Sequence, residues 1–218
     1  MNRFDSAAPL LPEILALHGK WRSNKEAVIC GDERWTWGQF CAANHRFAHG
    51  LASHGVNPGD RVGIVMSNGI AMVQAIYGTM AAGACSVPIN LSVSDDALAG
   101  MLADAGAVAL VATADQLARL QAVAGKLPAS LTLFITDGPA QSGWIAFEDL
   151  CAGQAETLPA VEISGESPLN IIYSSGTTGL PKGILHTHRG RRDWAYDLAI
   201  ALRYNGSART LLTIGLYS

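Results

Sequence analysis

The stretch Leu169-Asn-Ile-Ile-Tyr-Ser-Ser-Gly-Thr-Thr-Gly-Leu-Pro-Lys-Gly183 sets an apolar run directly against small and hydroxylated residues that end in a lysine. Low side-chain bulk at Gly176 and Gly179 lets backbone N–H groups converge on an anion. Ser174, Ser175, Thr177 and Thr178 add hydroxyl donors, and Lys182 adds a point charge, a combination suited to phosphate oxygens. A Walker A loop would place its lysine next to Ser or Thr at the start of a helix. Here Pro181 precedes the lysine, and Gly183-Ile-Leu185 reads as a strand, so the predicted unit is strand, loop, returning strand. A GxGxxG dinucleotide fingerprint is absent from the sequence.

Outward from this loop the pattern alternates between helix and strand. Thr36 to Gln39 has capping-box spacing, Phe40, Phe47 and Leu51 then share a helical face, and Gly55 marks the stop. A Pro58-Gly59 turn leads to a strand over 61–66, after which Ser67 or Asn68 is expected to cap a helix to about Ala82, with Gly83 ahead of a strand over 84–89. Ser94 is expected to cap the next helix, with Asp95 and Asp96 at its positive end and Gly106 closing it. A strand over 108–111, a second capping-box spacing at Thr113 to Gln116, a helix to Lys126 and a strand over 131–136 follow. The segment 151–168 is polar and irregular and reads as a connector. Beyond the loop come a strand over 182–186, a helix from about His188 to Arg203, an Asn205-Gly206 turn and a strand over 210–216. Repeated strand–helix–strand units of this length predict an α/β fold, a parallel sheet with helices on both faces. The expected organisation is a βαβ unit over 1–150, a connector over 151–168 and a phosphate-loop segment over 169–218.

With 218 residues, 49% of them hydrophobic, the chain can bury a substantial core. A formal net charge of −3 with interspersed signs argues against nucleic acid or a membrane surface as partner. Arg189-Gly-Arg-Arg192 is an isolated basic run and reads as the solvated first turn of a helix. Cys30, Cys41, Cys85 and Cys151 are too widely spaced for a CxxC pair and read as free thiols of a cytoplasmic protein. The start has no signal-peptide apolar core, and the apolar stretch 70–89 is broken by Gln74, Gly78, Gly83 and Pro88, so it reads as buried helix and strand, not as a membrane span.

Taken together, the loop and its context resemble the AMP-forming adenylate synthetases, a family of acyl-CoA synthetases, peptide-synthetase adenylation domains and luciferases. Trp35-Thr-Trp-Gly-Gln-Phe40 resembles the family's L-T-Y-x-E-L element, and Asn57-Pro-Gly-Asp-Arg-Val62 the turn after its helix. Met80-Ala-Ala-Gly-Ala-Cys-Ser-Val-Pro-Ile-Asn90 resembles its K-A-G-x-x-x-V-P-I/L-D/N element, and Thr187-His188-Arg189 the T-H-x after the loop. The resemblance implies an ATP-dependent ligase that joins a small-molecule carboxylic acid to AMP and passes the acyl group to coenzyme A, with Mg²⁺ accompanying the ATP. It assigns the β- and γ-phosphates to Ser174, Ser175, Gly176, Thr177, Thr178 and Gly179, with Lys182 beside them, and makes Lys182 and Thr177 the candidate catalytic residues.

Family members are more than twice as long, and the resemblance implies an N-terminal fragment whose adenine, ribose and Mg²⁺ contacts and small C-terminal domain lie beyond Ser218. Such a piece is expected to be inactive by itself. The alternative is a non-catalytic module that binds nucleotide or pyrophosphate, or one that oligomerises. Leu212 to Ser218 resembles the start of the element leading to the acyl pocket. The apolar run Leu211 to Tyr217 predicts an unpaired strand edge and a homo-oligomer that covers it.

The remaining candidates are weaker. His45 and His49 sit four apart on a predicted helix without a third metal ligand and read as a solvated face. Strand alternation would put His186 and His188 on one side, with His188 packed or hydrogen-bonded near the loop. Trp21, Trp35, Trp37, Trp144 and Trp194 read as core or rim anchors. The sequence has no GxSxG elbow.

Overall fold

The computed structural model describes residues 8–174 and 181–217. A first helix, α1 (Leu11–Trp21), precedes an antiparallel hairpin, β1 (Glu26–Cys30) and β2 (Glu33–Thr36), and α2 (Trp37–Ser53). The alternating body follows as β3 (Arg61–Val65), α3 (Ile70–Ala81), β4 (Cys85–Pro88), α4 (Asp95–Ala105), β5 (Ala107–Ala112), α5 (Leu117–Ala122), β6 (Leu133–Thr136), β7 (Ile145–Ala146) and α6 (Phe147–Cys151). Residues 152–167 contain neither helix nor strand, and β8 (Pro168–Ser174), β9 (Lys182–Thr187) and α7 (His188–Ala201) complete the elements.

Seven strands form one sheet in the order β7-β6-β5-β3-β4-β8-β9, parallel throughout except for β9, which runs antiparallel to β8. The central strands are near-continuous apolar runs because both faces are covered. Ile64 and Val111 join a cluster with Phe47, Leu51, Met72, Phe147 and Leu150 from α2, α3 and α6. Their neighbours Val65 and Leu110 join the opposite cluster with Leu98 and Leu102 of α4 and Leu117 and Leu120 of α5. The two-residue period of the strands thus sends alternate side chains into two cores, the expected α/β architecture with helices on both faces.

Local chemistry explains several boundaries. Thr36 and Gln39 form the reciprocal capping box of α2, with Gln39 N–H donating to Thr36 Oγ1 at 3.3 Å and Thr36 N–H to Gln39 Oε1 at 2.9 Å. Ser94 accepts from Ala97 N–H at the start of α4, and Gly106 ends that helix in the left-handed region at φ 62°.

Other expectations are corrected. Neither Ser67 nor Asn68 caps α3; Gly69 occupies that position without a side-chain bond, because both polar side chains are engaged elsewhere. Thr113 does not cap a long helix either: its hydroxyl accepts from Ser67 N–H at 3.1 Å, and the segment to Lys126 splits into two short 3₁₀ turns flanking α5. Residues 210–216 form no strand, having no neighbouring strand to pair with, and this removes the strand-edge argument for self-pairing. Trp21 and Trp194 are largely exposed, at 71% and 55%, and are not core anchors. The stretch 70–89 is α3 and β4 inside the sheet domain, and no helix among the described residues is long and apolar enough to cross a membrane.

Candidate functional site

The β8–β9 hairpin is fixed to the body through one side of β8. Leu169 is buried, Ile171 and Tyr173 pack on the cluster beneath α4, and the Tyr173 hydroxyl lies 2.6 Å from Asp104 Oδ2 and 3.0 Å from the Met101 carbonyl. Burial, and then the Asp104 carboxylate, push the Tyr173 phenol well above its ordinary pKa, so it stays a neutral donor to α4. Opposite Tyr173 stands Gly183, where a Cβ would lie 3.2 Å from the Tyr173 ring and 3.0 Å from Ile171 Cγ2. The glycine after the lysine therefore lets the ring lie across the returning strand.

The last residue pair of this hairpin is Ser174 with Lys182, both exposed. The chain leaves and re-enters the sheet at one point, the carboxyl end of β8. Ser175, Gly176, Thr177, Thr178 and Gly179 lie outside the described residues, so of the expected phosphate-binding set the structure locates Ser174 and Lys182.

The same end of the sheet carries a polar rim. From β3 the chain steps to β4 on one side and then to β5, β6 and β7 on the other, so the switch point at which open α/β sheets form their ligand crevice lies between β3 and β5. Beyond β3, the Ser67 hydroxyl donates to Asp115 Oδ2 at 2.8 Å, and Asp115 also receives Gln116 Nε2 at 2.9 Å. Hydrogen bonds, first from Thr113 and then from Gln116 and Ser67, hold the Asp115 carboxyl below its usual range despite some desolvation. Beyond β6, Asp137 accepts from Ala114 N–H at 2.8 Å, and burial raises its pKa. Asn68 spans to the far end of the chain: its Nδ2 donates to the Ile214 carbonyl at 2.8 Å and its Oδ1 accepts from Leu216 N–H at 3.0 Å. This long-range pairing had no signal in the sequence beyond the polarity of Asn68.

The histidines play structural parts that spacing did not reveal. His45 is buried and His49 is not a free solvated side chain; their rings meet the carbonyls of Glu156 and Thr157 at 2.7 and 3.0 Å, and Arg46 pairs with the Glu156 carboxylate. One face of α2 thereby grips the connector. His188 opens α7 instead of continuing β9, so it does not share a strand face with His186. Its ring is fully buried with no hydrogen-bond partner among the described residues, and desolvation pushes its pKa down to about 4. Arg191 of the basic run lies over the Trp194 ring at 5.3 Å and is within 3.4 Å of Asn170 and His186, while Arg189 pairs with Glu166. The run is thus engaged with its own surroundings. All four cysteines are free, and burial pushes Cys85 up to about 12 and Cys151 up to about 11, which keeps them as inert thiols. Among the described residues no three His, Cys, Asp or Glu side chains converge as a metal centre.

Comparison with known proteins agrees with this geometry. A 3-hydroxybenzoate–CoA/4-hydroxybenzoate–CoA ligase of Thauera aromatica is 33% identical over 165 residues, 75% of this chain and 31% of that protein. A long-chain-fatty-acid–CoA ligase of Mycobacterium tuberculosis is 31% identical over 189 residues, 85% of this chain and 36% of the relative. The crystal structure of an anthranilate CoA ligase in complex with anthranoyl-AMP superposes with a TM-score of 0.79 at 29% identity, covering 89% of this chain and 36% of that one. The chain therefore spans about a third of the length of the curated relatives it matches. The family model described as "AMP-binding enzyme" matches residues 17–214, most of the sequence, and the chain belongs to that family.

Proposed function

We propose that residues 1–218 form the phosphate-gripping part of an ATP-dependent, AMP-forming acyl-CoA synthetase. The observation that carries this reading is the β8–β9 hairpin, whose closing pair Ser174–Lys182 brackets a glycine- and hydroxyl-rich sequence at the carboxyl end of a parallel sheet. In the proposed reaction a carboxylate oxygen attacks the α-phosphorus of ATP, the bond to the β-phosphate oxygen breaks, and pyrophosphate leaves. Ser174, Ser175, Gly176, Thr177, Thr178 and Gly179 hold the β- and γ-phosphates. Thr177 and Lys182 stabilise the charge that develops on the departing pyrophosphate. Each charge-assisted bond of this kind is worth about 1.5–3 kcal/mol, so a few of them hold a polyphosphate in place. Mg²⁺ would travel with the phosphates, an arrangement that asks for few protein ligands. The thiol of coenzyme A then attacks the acyl carbon of the adenylate, the bond from that carbon to the phosphate oxygen breaks, and the thioester and AMP are formed.

Within this reading 1–150 serves as the βαβ scaffold, 151–168 as connector and 169–218 as the phosphate-loop segment of an N-terminal AMP-binding domain, working in the reducing cytoplasm that suits free thiols. The relatives are about three times as long as the aligned region, which supports the further proposal that these residues alone do not complete adenylation. Exposed apolar side chains on β9 and α7, including Ile184, Leu185 and Ile200, support self-association, to be checked by light scattering.

Titration calorimetry with pyrophosphate and ATP tests the phosphate assignment. Millimolar binding that Lys182→Ala weakens is expected; absence of heat with both ligands refutes it. ATP–pyrophosphate exchange in the presence of a carboxylic acid, above the level of Lys182→Ala, would overturn the inactivity of residues 1–218.

A further inference from the structure

The β8–β9 hairpin leaves the sheet before it reaches its tip. The register between β4 and β8 is the pair Ser86–Asn170, and β4 ends at Pro88, which has no N–H with which to extend a ladder. Ser174 stands four residues beyond Asn170, about 13 Å along the strand. On the other side β9 is the terminal strand, so among the described residues no further strand supports the tip. The closing pair Ser174–Lys182 therefore depends on side chains of β8 for its attachment to the body.

Tyr173 supplies the outermost of these attachments. Its hydroxyl has a single proton, and the 2.6 Å contact with Asp104 Oδ2 takes it in preference to the Met101 carbonyl at 3.0 Å, because a carboxylate is the stronger acceptor. The post that receives it is firm. Leu98 and Leu102 of α4 are wholly buried, and the largely buried Arg119 donates to Asp95 and to the Leu91 carbonyl, both at 2.8 Å. Asp104 itself is exposed in the last turn of α4, where a negative charge opposes the helix dipole, so its favourable contact is the phenol and not its own helix.

The ring carries this attachment to both strands, since it lies against Gly183 on β9 as well as following Ile172 on β8. Ser174 and Lys182 are the next residues outward, and strand alternation sets their side chains on the face away from the ring. Removing the phenol oxygen thus takes no group from that face. Packing does not wedge the hairpin in place either: Tyr173, Pro181 and Asp104 line a crevice of about 430 Å³ between the hairpin and α4, which leaves room for the tip to shift once the bond is lost.

We propose that Tyr173 and Asp104 are a positioning pair whose hydrogen bond docks the hairpin on α4 and sets where Ser174 and Lys182 meet the phosphates, so that a residue of α4, outside the glycine- and hydroxyl-rich run, governs polyphosphate affinity. This inference rests on the proposed phosphate reading. Apparent affinity falls in proportion to the docked fraction, so a hairpin docked a tenth of the time binds about tenfold more weakly.

The test measures calorimetric affinity for pyrophosphate and the thermal midpoint in four variants. Tyr173→Phe keeps the ring over Gly183 and removes the hydroxyl. Asp104→Ala removes the acceptor from an exposed position, Asp104→Asn keeps an oxygen that accepts, and the fourth variant combines Tyr173→Phe with Asp104→Ala. Tyr173→Phe and Asp104→Ala are each expected to weaken pyrophosphate about tenfold, the size of one charge-assisted bond, and the combined variant no further, because both changes break the same contact. Asp104→Asn should lose less than Asp104→Ala. Tighter binding in Asp104→Ala, the sign that simple repulsion of phosphate by the carboxylate gives, overturns the proposal. So do losses that multiply in the combined variant, equal losses in the two Asp104 variants, or a lowered midpoint with unchanged affinity, which marks a structural contact alone. These outcomes leave the phosphate reading standing provided that Lys182→Ala still weakens pyrophosphate. A wild-type chain that binds no pyrophosphate overturns that reading and the positioning pair with it.

Discussion

The sheet centre and the β9–α7 flank have the same sequence grammar of apolar strand and amphipathic helix, but they meet very different surroundings. In β3 and β5, Ile64, Val65, Leu110 and Val111 are wholly buried between two helical layers. In β9 and α7, Ile184 is 48% exposed and Ile200 77%, and His188 is the buried residue of α7. An apolar side chain stabilises a fold only to the extent that neighbours remove it from water, so equal hydrophobicity has unequal worth in the two regions.

Substitutions sharpen that contrast. Ile64→Ala should cost about 2–5 kcal/mol in urea unfolding, since it removes transferred apolar area and leaves a cavity between two packed layers. Equal melting behaviour of Ile64→Ala and Ile200→Ala would erase the distinction between the regions.

His188 is the flank's exception and gives the next largest effect. Its folded pKa of about 4 lies below the ordinary 6.5, so the unfolded chain takes up the proton first as pH falls. The corresponding stability is fully present above about pH 6.5 and is lost as pH drops toward 4, roughly 3 kcal/mol in total. Urea unfolding at stepped pH should show this loss in wild type and a smaller one in His188→Leu, which has no ring nitrogen to charge. Burial also lowers the pKa of His45, so a residual loss of the same sign should persist in the variant.

At the tip of the same flank, Lys182 is exposed and should matter for ligand, not for fold. Lys182→Ala is expected to weaken pyrophosphate about tenfold or more, the size of one charge-assisted bond, with an unchanged melting curve. The smallest effect belongs to Arg209, which meets Glu26 at 3.0 Å while 78% exposed. Arg209→Ala should change stability by less than about 1 kcal/mol and become silent at high salt, because solvent screens such pairs. A larger loss would mean that this contact holds the 206–210 segment to the β1–β2 hairpin more firmly than its exposure implies.

Much of this architecture was legible because its signals are local. Thr36 with Gln39, Ser94 with the acidic first turn, and Gly106 after α4 fix helix ends through groups three or four residues apart. The glycine- and hydroxyl-rich run between Ser174 and Lys182 stood out through residue types, although its central residues lie outside the described structure. The β1–β2 hairpin went unread: its strands are short and half exposed, and the Gly31-Asp32 turn between them was the available cue. Helices α1 and α6 and the two-residue β7 were missed too, the last two being too short to establish a period.

What the sequence by itself determined is the alternation of helix and strand through the sheet body and the strand–loop–strand order around Ser174 and Lys182, since both depend on neighbours along the chain. The tertiary structure decided where finite hydrogen-bonding capacity was used. Asn68 and Thr113 have the chemistry of helix caps, yet a partner 146 residues away claimed one and a neighbouring strand end claimed the other. His45 and His49 became clamps only when the connector folded across α2, and the apolar run at 210–216 stayed irregular without a strand to pair with. A side chain carries a menu of partners, and only the assembled chain fixes which of them it meets.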